Sequence, residues 1–359
     1  MMMGSTLPLA MVLAAGFGLV ETTAAQGLRS RDEINPPVEG LSPDGLRKEV
    51  QQAAESVMGP FARKDPRFAP EMEILESVEM NGYVRQKIVY RSEPGSKTPA
   101  FLCIPHIAEK TPVPAVLCLH PTDMKVGNGV VVGLGGKPGR QYAAELAERG
   151  FVTLSPAYPL MADYWPNLNK LGYESGTMKA IRDNSAALDL LASLPFVEAG
   201  SGFAAIGHSL GGHNALFTAL FEPRIRCVAV SCAFDRFADY YGGDRKNWFY
   251  GKGWCQVRYM PRLSDYRDRL EDIPFDFSNI LAALAPRKVW INSPLHDSNF
   301  GWKSVEASVA QALEQDEALG LKERFTVHHP DTGHDFPKAL RKDAYRMITS
   351  VLRPLVEGP

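Results

Sequence analysis

The chain has 359 residues, of which 45% are hydrophobic and 22% are charged, and its formal net charge is -2 at pH 7. This composition is ordinary for a soluble globular protein, and the length suffices for one large domain or two small ones with a proper core. The near-neutral charge and the lack of a long basic run exclude a protein that binds nucleic acid through a basic surface.

The N-terminus carries the first recognisable pattern. Residues 8–20 are uncharged and mostly apolar, a stretch too short to cross a bilayer but typical of a signal peptide. Residues 1–25 are therefore predicted to be a signal peptide cleaved after Ala25, and the protein is predicted to be exported. Because no Lys or Arg lies between Met1 and Thr6, an uncleaved leader on a cytoplasmic protein is the alternative. No later apolar run reaches the length of a membrane span.

Residues 26–73 are predicted to form an N-terminal helical extension, with an amphipathic helix over Leu46–Met58. From residue 74 the pattern becomes strand-like. Turn signals at Asn81-Gly82 and Pro94-Gly95 separate the predicted strands Ile74–Met80, Tyr83–Arg91 and Pro99–Ile104. This arrangement predicts an antiparallel meander at the start of the main domain.

After Pro105, apolar strands alternate with amphipathic helices. The predicted strands are Ala115–His120, Phe151–Ser155, Ala204–Ile206, Cys227–Ser231, Lys288–Asn292 and Arg324–His328. The predicted helices are Arg140–Arg149, Thr177–Leu194, Gly212–Phe221, Ser304–Leu319 and Pro337–Leu355. Alternation of this kind predicts an α/β domain over residues 74–359, with a mainly parallel central sheet and helices on both faces. Ligands bind beyond the carboxyl ends of the strands in such sheets.

One segment, residues 234–286, is too long for a plain connection and is predicted to be a cap-like insertion. It is rich in aromatic residues among Gly, Asp, Arg and Lys. Two interpretations remain open: the aromatic side chains face a substrate, or they pack onto the end of the sheet.

The sequence Gly207-His208-Ser209-Leu210-Gly211 lies between a predicted strand and a predicted helix. A G-x-S-x-G pattern in that context predicts a nucleophile elbow, a strained turn that needs small residues two before and two after the serine. The N-terminus of the following helix points its N–H groups towards the place where an oxyanion forms. Ser209 is therefore the predicted nucleophile.

A serine hydroxyl needs a base that is oriented by a carboxylate, and in an elbow-type fold the acid and then the histidine follow the serine in the chain. His334 follows the last predicted strand and is the predicted base, ahead of His328 and His329. Asp297 follows the penultimate predicted strand and is the predicted acid, with Asp235 as its competitor.

The oxyanion hole is predicted to use two backbone N–H groups. One belongs to Leu210, the residue after the nucleophile, and the other to the loop after the strand Ala115–His120. Pro121 has no N–H, so Thr122 is the predicted second donor.

Four further residues are candidates for the substrate pocket: His120, Tyr158, Trp165 and His208. For each of them a purely structural role, as a loop brace or as part of the core, is the alternative. Cys232 and Cys255 could form one disulfide, whereas the other three cysteines lie in apolar runs. No spacing of His and Cys is typical of a metal site, and neither a metal nor a cofactor is predicted.

The run Gly207 to Leu216, the loop His120-Pro121-Thr122, Asp297 and His334 together resemble the α/β-hydrolase superfamily. Within it, the chain resembles the dienelactone-hydrolase-like and acetyl-xylan-esterase-like bacterial serine esterases. It departs from them at Ser209, where dienelactone hydrolases carry a cysteine, and at Leu210, where acetyl xylan esterases commonly show Gln.

The resemblance implies a serine hydrolase that cleaves a small carboxylic ester, such as an acetylated sugar or an aromatic ester, through a Ser-His-Asp triad and an acyl-enzyme. A serine peptidase of the prolyl-oligopeptidase type is one alternative, and a non-catalytic hydrolase-like binding protein is another. No nucleic-acid partner is expected.

Overall fold

The computed structural model describes residues 42–61 and 71–352, together with Met1. Apart from Met1, the predicted signal peptide lies outside the described residues, and so does much of the predicted extension over 26–73. The domain boundaries therefore stay predictions. No helix within the described ranges has the length and apolar character needed to cross a membrane.

Nine strands form one sheet in the order β1-β2-β3-β5-β4-β6-β7-β8-β9. They are β1 (Met72–Glu79), β2 (Tyr83–Glu93), β3 (Ser96–Pro105), β4 (Ala115–Leu119), β5 (Val152–Pro156), β6 (Phe203–His208), β7 (Ile225–Ser231), β8 (Lys288–Asn292) and β9 (Phe325–His328). Pairing is antiparallel from β1 through β3 to β5 and parallel from β5 to β9. The predicted antiparallel meander joined to a mainly parallel sheet is confirmed.

Eight α-helices belong to the described residues. They are α1 (Pro43–Met58), α2 (Tyr142–Ala147), α3 (Leu168–Leu171), α4 (Gly176–Ser193), α5 (Leu210–Phe221), α6 (Phe277–Ala283), α7 (Trp302–Ala318) and α8 (Lys338–Leu352). Two of the starts have a serine cap: the hydroxyl of Ser42 accepts from the N–H of Gly45, and that of Ser175 accepts from Met178. The sequence pattern did not predict α3 or α6.

Apolar side chains on the two sides of the sheet form two separate cores. On one side, Leu117 and Ala205 pack with α1 and with α4 to α7. On the other side, Val116 and Ile206 pack with α2 and α8. Since side chains alternate along a strand, both faces of β4 and β6 are buried, and the prediction of helices on both faces is confirmed.

The segment predicted as an insertion consists of short 3₁₀ helices followed by α6. Its aromatic residues fall into two groups, one buried in the core and one that borders a pocket. Trp248 is fully buried in the core, whereas Tyr240, Trp254 and Tyr259 are buried but also reach a pocket at the carboxyl edge of the sheet.

Candidate active site

Ser209 lies in the tight turn between β6 and α5 and has a left-handed backbone conformation, with φ 54° and ψ -122°. A residue with a side chain rarely adopts a positive φ, so the turn is strained and must be held by its neighbours. The N–H of Ser209 donates to the carbonyl of Ser231 at 2.7 Å, and the N–H of His213 donates to the carbonyl of Ser209 at 3.0 Å. These two bonds fix the turn between a strand and a helix.

Gly207 and Gly211 frame the turn. A Cβ atom on Gly207 would overlap the backbone of Gly211, and one on Gly211 would overlap the carbonyl group of Leu119. Glycine is required at both positions because backbone passes directly against backbone. The strained serine is thus supported by close packing that larger residues would prevent.

The imidazole of His334 lies in the loop after β9, and its Nδ1–H donates to Asp297, with the two carboxylate oxygens at 2.9 and 3.0 Å. The Asp297 side chain is 1% exposed and that of His334 is 24% exposed. Since Nδ1 carries the proton, Nε2 is left as the basic nitrogen. A buried carboxylate that fixes the tautomer of a partly exposed histidine is the arrangement that a general base needs.

Asp297 accepts several further hydrogen bonds. The N–H of Asn299 donates to it at 2.8 Å and that of Phe300 at 3.3 Å. Burial opposes ionisation, but the bonds from His334, Asn299 and the Cys232 thiol outweigh it and hold the pKa of Asp297 below its usual value. The carboxylate is therefore charged at neutral pH and remains a partner for an imidazolium.

The Cys232 thiol, Asp297 and His334 bring their ligand-type atoms within 4.8 Å of one another. Burial and the neighbouring carboxylate of Asp297 raise the pKa of the Cys232 thiol well above its usual value. The thiol is consequently protonated and serves Asp297 as a donor.

Asp235, the competing candidate for the acid, has a different hydrogen-bond partner. Its Oδ2 accepts from the N–H of Gly301 at 3.0 Å, and its Oδ1 is buried with no partner in the described part of the chain. The pKa of Asp235 is raised to about 8, mainly by burial and also by the nearby carboxylates of Asp239, Asp276 and Asp297. A neutral carboxyl group bonded to a loop amide fits a structural brace better than a partner for His334.

Ser209 and His334 both line a pocket of about 490 Å³ at the carboxyl edge of the sheet. Within the described ranges no hydrogen bond joins the two side chains, although both face the same space. Catalytic hydrogen bonds are often long before substrate binds, so this arrangement is compatible with proton transfer between them.

The two predicted oxyanion donors border the same pocket. Leu210 is the first residue of α5, and Thr122 lies in the loop after β4. In the described part of the chain, neither backbone N–H is engaged by an acceptor. The hydroxyl of Thr122 lies 3.5 Å from that of Tyr259.

The pocket has an aromatic wall and a basic wall. Tyr240, Trp254, Tyr259 and Phe300 form the aromatic wall, which the insertion and the loop after Asp297 supply. The rings of Trp254 and Tyr259 lie 5.4 Å apart, and those of Trp254 and Phe300 lie 6.2 Å apart. These rings give the pocket that Ser209 also lines a largely apolar aromatic side.

Lys137 and Arg140, in the loop before α2, form the basic wall. The sequence pattern did not predict this wall, because it depends on contacts with His334, which lies 197 and 194 positions away in the chain. Arg140 is 1% exposed and pairs with Asp335 at 2.8 Å. Its guanidinium and the Lys137 ammonium both donate to the carbonyl of His334, at 3.4 and 3.2 Å. The two cations thereby attach the loop of His334 to the loop before α2.

Of the four candidate pocket residues, His208 lines the pocket. It is 2% exposed, and its Nδ1 shares a hydrogen bond with the hydroxyl of Ser231 at 2.9 Å. Burial, together with the positive charge of Arg140, lowers the pKa of His208 well below its usual value. It is thus a neutral wall residue that packs on His334, with 4.9 Å between ring centroids.

His120 and Tyr158 lie behind the pocket wall, not in it. His120 Nδ1–H donates to the carbonyl of Pro121 at 2.8 Å, and its Nε2 accepts from the N–H of Tyr158 at 2.9 Å. Burial lowers the pKa of His120 to about 4, so this imidazole is a neutral brace between two loops. The Tyr158 hydroxyl bonds to the carbonyl of Arg258 at 2.8 Å.

Trp165 differs most from the prediction, because it lines a separate cavity. The loop after β5 turns away from Ser209 through positive φ angles at Leu160 and Ala162. Neither residue is a glycine, so the sequence carries no signal for this turn.

The competing histidines have structural partners. His328 Nε2 lies 3.0 Å from the carboxylate of Asp343, and His329 Nδ1 donates to the carbonyl of Ser293 at 2.7 Å. The suggested disulfide is absent from the described residues, where Cys232 and Cys255 are both free and buried. All five cysteines lie among the described residues, and all five are buried free thiols.

The sequence matches no family model, and no curated protein matches it either. Solved structures do share its fold. A glucuronoyl esterase from Solibacter usitatus superimposes with a TM-score of 0.66 at 17% identity, over 85% of this chain and 92% of that chain. A glucuronoyl esterase from Caldicellulosiruptor kristjansonii gives 0.62 at 16% identity, over 86% and 84%.

A third similar structure is acetyl xylan esterase 1 from a Thermoanaerobacterium species, with a TM-score of 0.55 at 16% identity over 89% of this chain and 98% of that chain. At such identities the likeness concerns the arrangement of the backbone. The order of the strands, the elbow at the end of β6 and these structural neighbours lead to one conclusion. The chain has the α/β-hydrolase fold.

Proposed function

We propose that this protein is a serine hydrolase that cleaves carboxylic esters, with Ser209 as nucleophile, His334 as base and Asp297 as the carboxylate that orients the base. One observation carries the proposal: the charged Asp297 holds His334 by Nδ1 at the edge of the pocket where the strained Ser209 is presented. A free Nε2 beside a serine in an elbow is the requirement for activating a hydroxyl group.

In the proposed reaction, His334 Nε2 takes the proton of the Ser209 hydroxyl while the oxygen attacks the ester carbonyl carbon. The carbonyl oxygen becomes an oxyanion that the N–H groups of Leu210 and Thr122 stabilise. Collapse of this intermediate breaks the ester bond, and His334 returns the proton to the departing alcohol. Water then attacks the acyl-enzyme with the same base, which releases the acid and restores Ser209.

The pocket walls support a carbohydrate ester as substrate. Aromatic rings can stack on the faces of a sugar, and Asn247, Gln256 and Asn299 offer amide groups at the rim to its hydroxyls. Two of the similar structures are, by name, a glucuronoyl esterase and an acetyl xylan esterase. An ester carried by a plant-type polysaccharide is therefore the substrate class that we propose.

A hydrolysis screen tests this function. We expect activity on 4-nitrophenyl acetate, and on either acetylated xylan or a methyl ester of a glucuronic acid, with the Ser209→Ala variant as the blank. A proline nitroanilide serves as the peptidase control and is expected to remain intact. If Ser209→Ala retains the activity of the wild type, the proposed nucleophile is wrong.

We also propose export, for which the apolar residues 8–20 are the support. Expression of the full chain in a bacterial host tests it. Mature protein in the periplasm or medium that begins at Gln26 is the expected result, and intact protein in the cytoplasm would contradict it.

A further inference from the structure

Trp165 is an exposed aromatic residue outside the catalytic pocket. Its side chain is 61% exposed, whereas Trp248 and Trp290 are fully buried and Trp254 is 5% exposed. A single exposed apolar residue is common on protein surfaces, so the role of Trp165 has to be judged from the groups around it.

The indole is held rigidly. Its Nε1–H donates to the carbonyl of Ala162 at 2.7 Å, so its polar edge is already satisfied within the protein. The preceding residue, Tyr164, is anchored by a hydrogen bond from its hydroxyl to Asp183 at 2.9 Å. The part of Trp165 that remains available to a ligand is therefore its flat apolar face, and little conformational entropy is lost when that face is covered.

Trp165 lines a cavity of about 360 Å³. The loop after β5 and α3 form one side of this cavity, and the hairpin between β2 and β3 forms the other. Polar groups surround the ring at Ser96, Lys97, Asn167 and Lys170, and none of the described lining residues is acidic. A small flat ligand with hydroxyl groups at its edge suits such a site better than a wholly apolar one.

The cavity opens at the same edge of the sheet as the catalytic pocket. Ala100 of β3 pairs with Pro156 at the carboxyl end of β5, so the antiparallel β3 places Ser96 and Lys97 beyond that end. Ser209 lies at the carboxyl end of β6.

From these observations we propose that the cavity is a second carbohydrate-binding site, in which a sugar ring stacks on Trp165 and its hydroxyl groups bond to Lys97, Asn167 and Lys170. The choice of a polysaccharide as ligand rests on the proposed function, whereas the site itself rests on its own geometry. Binding there would hold a polymer at the edge of the sheet where the ester is cleaved, without any contact to the reacting atoms.

Affinity electrophoresis in gels that contain soluble glucuronoxylan or acetylated xylan tests the site, with titration calorimetry against xylohexaose as the quantitative measurement. The variants are Trp165→Ala and, as the matched control, Tyr250→Ala, which removes another exposed aromatic residue (67% exposed) that does not line this cavity. Trp165→Ala is expected to weaken binding about tenfold or more. This is the loss of affinity expected when one aromatic stacking contact and its buried area are removed. Tyr250→Ala is expected to bind like the wild type.

Activity separates this site from the catalytic one. Trp165→Ala should keep the wild-type kcat/KM on 4-nitrophenyl acetate and lower it by about tenfold on the polymer. The proposal would be overturned if Trp165→Ala bound the polysaccharides as well as the wild type does. It would also be overturned if none of the polysaccharides retarded the wild type in the gel. A change in gel-filtration volume on substitution, without a change in glycan binding, would overturn it in favour of a contact between protein copies. Failure of the proposed function leaves a different signature: binding present, with no hydrolysis of any ester.

Discussion

The carboxylate of Asp297 lies 2.9 Å from Nδ1 of His334, and it is the more deeply buried of the two, with 1% of its side chain exposed. Asp297 is thus fixed by the interior of the protein, whereas His334 is fixed by Asp297. Changes at Asp297 should act on catalysis through the orientation and tautomer of His334.

Replacing Asp297 by Asn should lower kcat on 4-nitrophenyl acetate by about ten-thousandfold, because an amide can hold the imidazole in the wrong tautomer. Asp235→Asn is the matched control, since Asp235 is buried nearby but bonds to the N–H of Gly301. Its kcat should stay within about tenfold of the wild type. Equal losses in the two variants would show that Asp297 is not the only acid that supports His334.

Ser209→Ala should remove about a thousandfold or more of kcat and leave the thermal unfolding midpoint nearly unchanged or slightly higher. The small effect on stability follows from the position of Ser209, whose strained backbone is held by its neighbours while its hydroxyl faces the pocket. Labelling with a fluorophosphonate should occur on the wild type and fail on the variant. Labelling of the variant would place the nucleophile elsewhere.

Gly211→Ala should destabilise the fold by several kcal/mol. Overpacking typically costs about 1–3 kcal/mol at sites where the backbone can still move. The new Cβ would overlap the carbonyl group of Leu119 in the neighbouring strand. Gly301→Ala is the control, because it has open space around it and an ordinary φ of -73°. Urea unfolding measures both, and a stable, active Gly211→Ala variant would contradict this account of the elbow.

The pKa of Asp235, raised to about 8, predicts a pH dependence of stability. Between about pH 4, the usual pKa of an aspartate, and pH 8 the folded protein keeps a proton that the unfolded chain has lost. The free energy of unfolding should therefore fall as pH rises through this window, by up to about 1.4 kcal/mol per pH unit from this group. Asp235→Asn should show a flatter profile in urea unfolding at pH 5, 6, 7 and 8. Parallel profiles would mean that Asp235 is ionised in the folded protein.

The five buried thiols predict resistance to alkylation. Iodoacetamide at neutral pH should leave the folded protein active, because burial also keeps thiols such as Cys103 and Cys227 protonated, with each pKa raised to about 12. In guanidinium without reductant, mass spectrometry should find five alkylated cysteines. Fewer than five would reveal a disulfide.

Sequence patterns predicted those parts of the molecule that depend on neighbours along the chain. The strands Cys227–Ser231 and Lys288–Asn292 were predicted from continuous apolar runs, and the elbow from glycines at fixed spacing. The assignments of Asp297 and His334 followed from their positions after the last two strands, and they stay predictions that the geometry supports.

The pocket could not be predicted to the same degree. Arg140 reads in the sequence as the start of a helix, yet its side chain turns back to His334, a contact between residues 194 positions apart. Trp165 looked like a pocket residue because it follows β5, and only the positive φ angles at Leu160 and Ala162 send it to another cavity. Contacts between distant loops leave no local periodicity to detect.

Arg140 also has a consequence for how the pocket can change. Its guanidinium joins the loop before α2 to the loop of His334 through the ion pair with Asp335 and the hydrogen bond to the His334 carbonyl. On the aromatic side, Tyr240 and Trp254 belong to the insertion and, in the described part of the chain, make no hydrogen bond to Asp297 or His334, whereas Phe300 of the same wall donates its N–H to Asp297. Altered substrate preference with intact turnover should therefore arise from changes at the aromatic side, which makes the insertion the natural place to search for engineered or naturally diverged specificity.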